Sequence, residues 1–94
     1  TATKADIVKL LSTDSFTETE LSIFPNPVKS LLNIESTLNG NLSLYFFDVK
    51  GKLIKELQTN STITKLDISE FSSGIYFLEI TNQEKSKTFK FVKQ

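Results

Sequence analysis

Cysteine and histidine are both absent from this 94-residue chain. Their absence excludes thiolate nucleophiles, disulfides, zinc sites built on Cys or His, and imidazole acid–base chemistry. Arginine is missing too: all eleven basic residues are lysines, balanced by eleven carboxylates. Without a guanidinium there is no bidentate reader of phosphate or guanine. A net charge of zero supplies no field to steer nucleic acid toward the chain. No apolar run approaches the roughly 20 residues that a membrane-spanning helix needs. There is no methionine and no secretory leader at the start, so the sequence reads as the far end of a longer protein.

What is present divides into two textures. Residues 1–20 are rich in Thr, Ser, Asp and Glu and read as a polar, partly disordered linker. Ala5, Ile7, Val8, Leu10 and Leu11 hint at one short helix there, of marginal length on its own. From Leu21 to Gln94, short apolar runs alternate with clusters of Asn, Gly, Asp and Ser. That is the pattern of a compact β domain. A domain this small hides only about 60–65% of the surface its unfolded chain exposes, so modest stability follows.

Seven strands are expected. Leu21–Phe24 comes first and is stopped by Pro25-Asn26-Pro27, where two amide donors are missing. Leu32 and Ile34 alternate with Asn33 and Glu35 on the second. On the third, Leu42, Leu44 and Phe46 share one face, with Tyr45 and Phe47 on the other. Asp48 to Gly51 makes a tight hairpin into Leu53–Leu57, whose irregular apolar spacing predicts a bulge. Ile63–Ile68 is the fifth strand and Ile75–Thr81 the sixth, the latter burying Tyr76, Leu78 and Ile80. The seventh lies within Lys85–Gln94, with Phe89 and Phe91 pointing one way between lysines. Turn signals at such intervals predict an immunoglobulin-like, seven-stranded antiparallel β-sandwich of Greek-key type. In that fold Tyr76 stands where a corner tyrosine returns its hydroxyl to backbone just upstream.

Four blocks, in order, carry a family resemblance. They are Ile23-Phe24-Pro25-Asn26-Pro27-Val28-Lys29 with Leu31-Leu32-Asn33-Ile34; Phe47-Asp48-Val49-Lys50-Gly51-Lys52-Leu53-Ile54; Leu66-Asp67-Ile68-Ser69 with Phe71 and Ser73-Gly74-Ile75-Tyr76-Phe77-Leu78; and Lys87-Thr88-Phe89-Lys90-Phe91-Val92-Lys93-Gln94. Together they resemble the type A C-terminal sorting domains of Bacteroidetes type IX secretion. Phe24 stands where that family often has Tyr, and Gln94 where Lys or Arg is common.

The resemblance implies a non-catalytic domain with no cofactor and no metal. It implies partners: the type IX outer-membrane translocon with its shuttle proteins, and a sortase-like surface peptidase cutting before Leu21. It implies a route through periplasm and outer membrane to the cell surface or medium. Lys90, Val92, Lys93 and Gln94 would then be the residues the translocon reads. Pro25, Asn26, Pro27, Asp48, Gly51, Gly74 and Tyr76 would be motif residues of mainly structural role. Because Lys93 and Gln94 follow Phe91, they are expected to be dispensable for folding, and the last strand is expected to accept a partner by edge addition.

Other chemistries have thinner support. Asp48, Asp67 and Glu70 are a sparse set for calcium, which takes about six to eight oxygens. The rival reading is an immunoglobulin-like adhesion or carbohydrate-binding module kept at the end of a surface protein. It would gain if Tyr45 and Phe47 stood exposed side by side.

Overall fold

The computed structural model describes residues 20–37, 40–83 and 85–94. The expected linker and its short helix lie outside these residues, apart from Glu20. Among these residues seven strands run in order: β1 (Leu21–Phe24), β2 (Leu31–Ser36), β3 (Leu42–Phe47), β4 (Leu53–Thr59), β5 (Ile63–Asp67), β6 (Gly74–Thr81) and β7 (Ser86–Lys93). Among the described residues no helix is long and apolar enough to cross a membrane.

The strands form two antiparallel sheets, one ordered β1-β2-β5 and the other β4-β3-β6-β7. In the constant-type immunoglobulin order the fourth strand joins the first sheet. Here β4 stays with β3, because the tight hairpin at Asp48–Gly51 returns the chain directly beside it. Side-chain alternation then decides which faces meet. Leu21, Leu32 and Ile34 of the first sheet and Leu42, Leu44, Phe46, Tyr76, Leu78, Ile80 and Phe91 of the second are all buried in one core.

Aromatic rings fill one end of that core. The Phe46 ring meets Phe71 and Phe91 edge-on at 5.7 and 6.1 Å. Tyr76 lies 5.0 Å from Phe71 and stacks on Phe91 at 5.7 Å. Such geometries follow the ring quadrupoles and add about 0.5–1.5 kcal/mol per pair beyond area burial. The Tyr76 hydroxyl donates to the Ser72 carbonyl at 2.6 Å, so a polar atom at the core margin is satisfied. This is the corner that the sequence predicts.

Two turns show why their residues are needed. Asp48 Oδ1 accepts the amides of Lys50 and Lys52, both at 2.9 Å. The Gly51 amide donates to the Asp48 carbonyl at 3.0 Å, with Gly51 at φ 89°, a conformation that side chains resist. Past this turn the ladder slips. Phe46 faces Lys55 while Phe47 faces Leu53, so Ile54 is the extra residue of the bulge expected in β4. β4 is also the more exposed edge, and Leu53 and Ile54 remain largely in solvent.

Two outcomes test this packing. Tyr76→Phe, which loses only the corner hydrogen bond, should cost about 1 kcal/mol, and Tyr76→Ala about 3–5 kcal/mol, in denaturant titrations. Equal stability of wild type and both variants would refute the corner. The second concerns pH. The Lys52 amide above all, then the Lys50 amide and the charges of both lysines, hold the Asp48 carboxyl below its ordinary 3.8. Its stabilising contribution is therefore complete above 3.8 and vanishes as pH falls through the lower folded value. The Lys50 and Lys52 amide resonances should titrate together with a midpoint under 3.8; a midpoint at or above it would contradict the turn.

Candidate functional site

The chain between β1 and β2 leaves its own sheet and lies along the outer edge of β7. Pro25 and Pro27 carry no N–H, so the backbone here cannot supply a regular ladder. Both X–Pro bonds, Phe24–Pro25 and Asn26–Pro27, are cis. The Asn26 side chain has what the prolines lack, an amide donor and an acceptor on one plane. Its Oδ1 accepts the Val92 amide at 3.0 Å and its Nδ2 donates to the Lys90 carbonyl at 3.3 Å. Two residues on, backbone takes over. The Val28 amide donates to the Val92 carbonyl and the Gln94 amide to the Val28 carbonyl, each at 2.8 Å. Val28 thus forms a parallel bridge with Lys93.

Side chains nail this clasp from both sides. Val28 is wholly buried, and so is Phe91 on the strand it holds. Just beyond, the Ser30 carbonyl accepts the Ile68 amide at 2.7 Å. At the start, Asn33 Nδ2 donates to the Phe24 carbonyl at 3.3 Å. Burial of Val28 is what sequence reasoning missed. Its signal was one apolar residue among exposed Pro and Lys, where a plain bend needs none.

The four residues expected to be read do not share a face. Lys90, Val92 and Gln94 alternate outward and are exposed. Lys93 has the parity of Phe91 and points inward, 7% exposed. Its aliphatic stem is covered while Nζ donates to the Gln94 carbonyl at 2.9 Å. Opposite Lys93 stands Gly74, at φ 152°. A Cβ there would meet nothing within 4 Å, so its backbone conformation, and not crowding, calls for glycine.

Register gathers the motif residues at one end of the larger sheet. Phe47, Phe77 and Lys90 form a row across β3, β6 and β7. Beyond it, at the same end, come the Asp48–Gly51 turn, Gly74 with Tyr76, and Phe91 to Gln94 under the clasp. Asp67 makes a separate turn, its Oδ1 accepting the Ser69 amide at 2.9 Å. The Ser69 hydroxyl first, then that amide, hold the Asp67 carboxyl below its usual range. Among the described residues no three acidic groups come together as a metal site.

Toward its start β7 carries more charge. Lys85 Nζ pairs with Glu20 Oε2 at 3.5 Å, and Lys87 Nζ sits 5.1 Å from the centre of the Phe89 ring. On the outer face of the sheet, Tyr45 and Phe47 are both half-buried. Tyr45 stands between Glu56 and Glu79, and Phe47 between Leu53 and Phe77. They do not form the open aromatic platform that a sugar binder displays.

One expectation is corrected here. Lys93 and Gln94 are not outside the fold, because Gln94 supplies the last hydrogen bond of the clasp and Lys93 packs inward beside Phe91. Removing both should lower stability by about 1–2 kcal/mol, near one or two hydrogen bonds, as read by thermal or urea unfolding. Unchanged stability would show that the clasp holds nothing.

Similarity to known proteins gives the family and the fold. Residues 22–94 match the family described as the secretion system C-terminal sorting domain. An endo-acting ulvan lyase of Formosa agariphila is 27% identical over 90 residues, covering 93% of this chain and 17% of that protein. Among solved structures, PorZ, an essential bacterial surface component of the type IX secretion system of Porphyromonas gingivalis, superposes with a TM-score of 0.61 at 22% identity. That match covers 88% of this chain and 12% of PorZ, and at such identity it is a likeness of fold. The chain therefore spans less than a fifth of the length of either relative. With four motif blocks, a two-sheet β fold and a family match over residues 22–94, this chain belongs to the type IX secretion C-terminal sorting domain family.

Proposed function

We propose that this domain is an address carried by a longer protein, read by the outer-membrane translocon and its shuttle proteins, and removed afterwards by a sortase-like surface peptidase. The cut would fall before Leu21, upstream of the sandwich, so that cargo is released without unfolding a strand. The domain contributes no catalytic group to these steps. Its contribution is a surface. Export to the cell surface or the medium follows from membership of the family.

One observation carries the reading: the family match runs from residue 22 to residue 94 and so takes in all of the sandwich but Leu21, clasp included. The side chains best placed to be read are Lys90, Val92 and Gln94, which project together from the strand whose edge the clasp covers. Lys93 contributes from beneath, through its bond to the Gln94 carbonyl. A carbohydrate-binding role draws no comparable support, given the half-buried Tyr45 and Phe47.

The test is a transplant. Residues 1–94 are fused behind a periplasmic fluorescent protein in a bacterium with a working type IX system. Fluorescence should reach the surface or medium and should stay in the periplasm when the translocon is deleted. Cargo retained in the periplasm of the intact strain, with the domain folded, would overturn the proposal.

A further inference from the structure

We propose that Asn26 is a positioning residue of the sorting signal. It holds Lys90–Gln94 as a strand, and this fixes the direction in which the three exposed side chains point. The inference rests on the sorting reading above and goes beyond it, because these hydrogen bonds of Asn26 go to the backbone of Lys90 and Val92 and not to the side chains proposed to be read. It acts through the backbone, some 64–66 residues away in sequence.

The argument is one of supply and demand along an edge. β7 is the last strand of its sheet, and the residues whose N–H and C=O point away from β6 are those of alternate parity: Lys90, Val92 and Gln94 at its end. Left bare, that stretch would fray, since only one side of the strand is tied down. The covering segment contains two prolines and so lacks donors where the strand needs them. Asn26 has the planar amide that completes the pattern, one donor to Lys90 and one acceptor from Val92. No other side chain of its size offers both on one plane. Aspartate would set a carboxylate oxygen against the Lys90 carbonyl, and that repulsion would draw its other oxygen off the Val92 amide as well, while alanine would offer neither group.

A consequence follows for recognition. Because Asn26 and Val28 occupy the outer edge of Lys90–Gln94, a partner cannot add a strand there while the clasp is closed. The expectation of edge addition at this end is therefore replaced. What the folded domain presents is the face bearing Lys90, Val92 and Gln94.

The experiment uses the fluorescent fusion with N26A, N26D and, as a control away from the edge, Y76F. Amide exchange and export are measured on each. In N26A and N26D the Val92 amide should exchange roughly fivefold faster or more, while the Phe89 and Leu78 amides, held within the sheet, keep their protection. Export should fall in both Asn26 variants and persist in Y76F, which loses one hydrogen bond but leaves the clasp whole. Normal export of N26A with a loosened Val92 would overturn the positioning role and leave the sorting reading intact. Lost export with Val92 protection unchanged would overturn it as well, since Asn26 would then act by some other contact. Retention of the unaltered fusion would overturn the sorting reading itself, and this assignment with it.

Discussion

Hydrogen bonding between the Pro25–Val28 segment and the end of β7 is the constraint on which the rest depends. The two sheets of a sandwich are ordinarily joined by apolar packing alone. Here the chain leaves one sheet and hydrogen-bonds to the edge of the other before returning. This crossing buries Val28, orders the last residues of the chain and covers an edge that would otherwise invite pairing. It also explains why the ring of Phe91 can be a core element so near the end of the sequence. Phe91 is gripped from inside by Phe46 and Tyr76, and from the edge through its two neighbours.

The same arrangement gives physical content to the family motifs. Pro25, Asn26 and Pro27 are more than a bend: the prolines remove donors, and Asn26 replaces them with a side chain. Asp48 and Gly51 fold the hairpin that keeps β4 in the larger sheet. Gly74 and Tyr76 form the corner from which β6 starts, directly beside Lys93 and Phe91. Blocks widely separated in sequence thus meet at one end of one sheet, where the residues proposed to be read also lie. A signal built this way is presented only when the sandwich has folded.

Much of this was legible in the sequence, for local reasons. Alternation with period two marked the strands and assigned Leu42, Leu44 and Phe46 to the core. Crowded apolar residues at Leu53 and Ile54 signalled the bulge. What escaped was set by pairing across long separations. Asn26 between prolines has the local chemistry of a turn, and nothing nearby in sequence shows that its amide meets Lys90 and Val92. Lys93 was misplaced because its charge suggested solvent, although its parity with Phe91 pointed inward. Alternation was the stronger constraint: once Phe91 is in the core, Lys93 must follow, and it solves the conflict by burying its stem and turning Nζ to the Gln94 carbonyl.

The account's central claim is that the address is a folded surface and not a linear tail. The most direct measurement compares export of one fluorescent cargo carrying residues 1–94 with the same cargo carrying only the segment Ser86–Gln94. The account predicts export of the first and periplasmic retention of the second, since the isolated strand has neither core nor clasp to set its side chains. Equal export of both would show that the terminal sequence suffices by itself, and would contradict it.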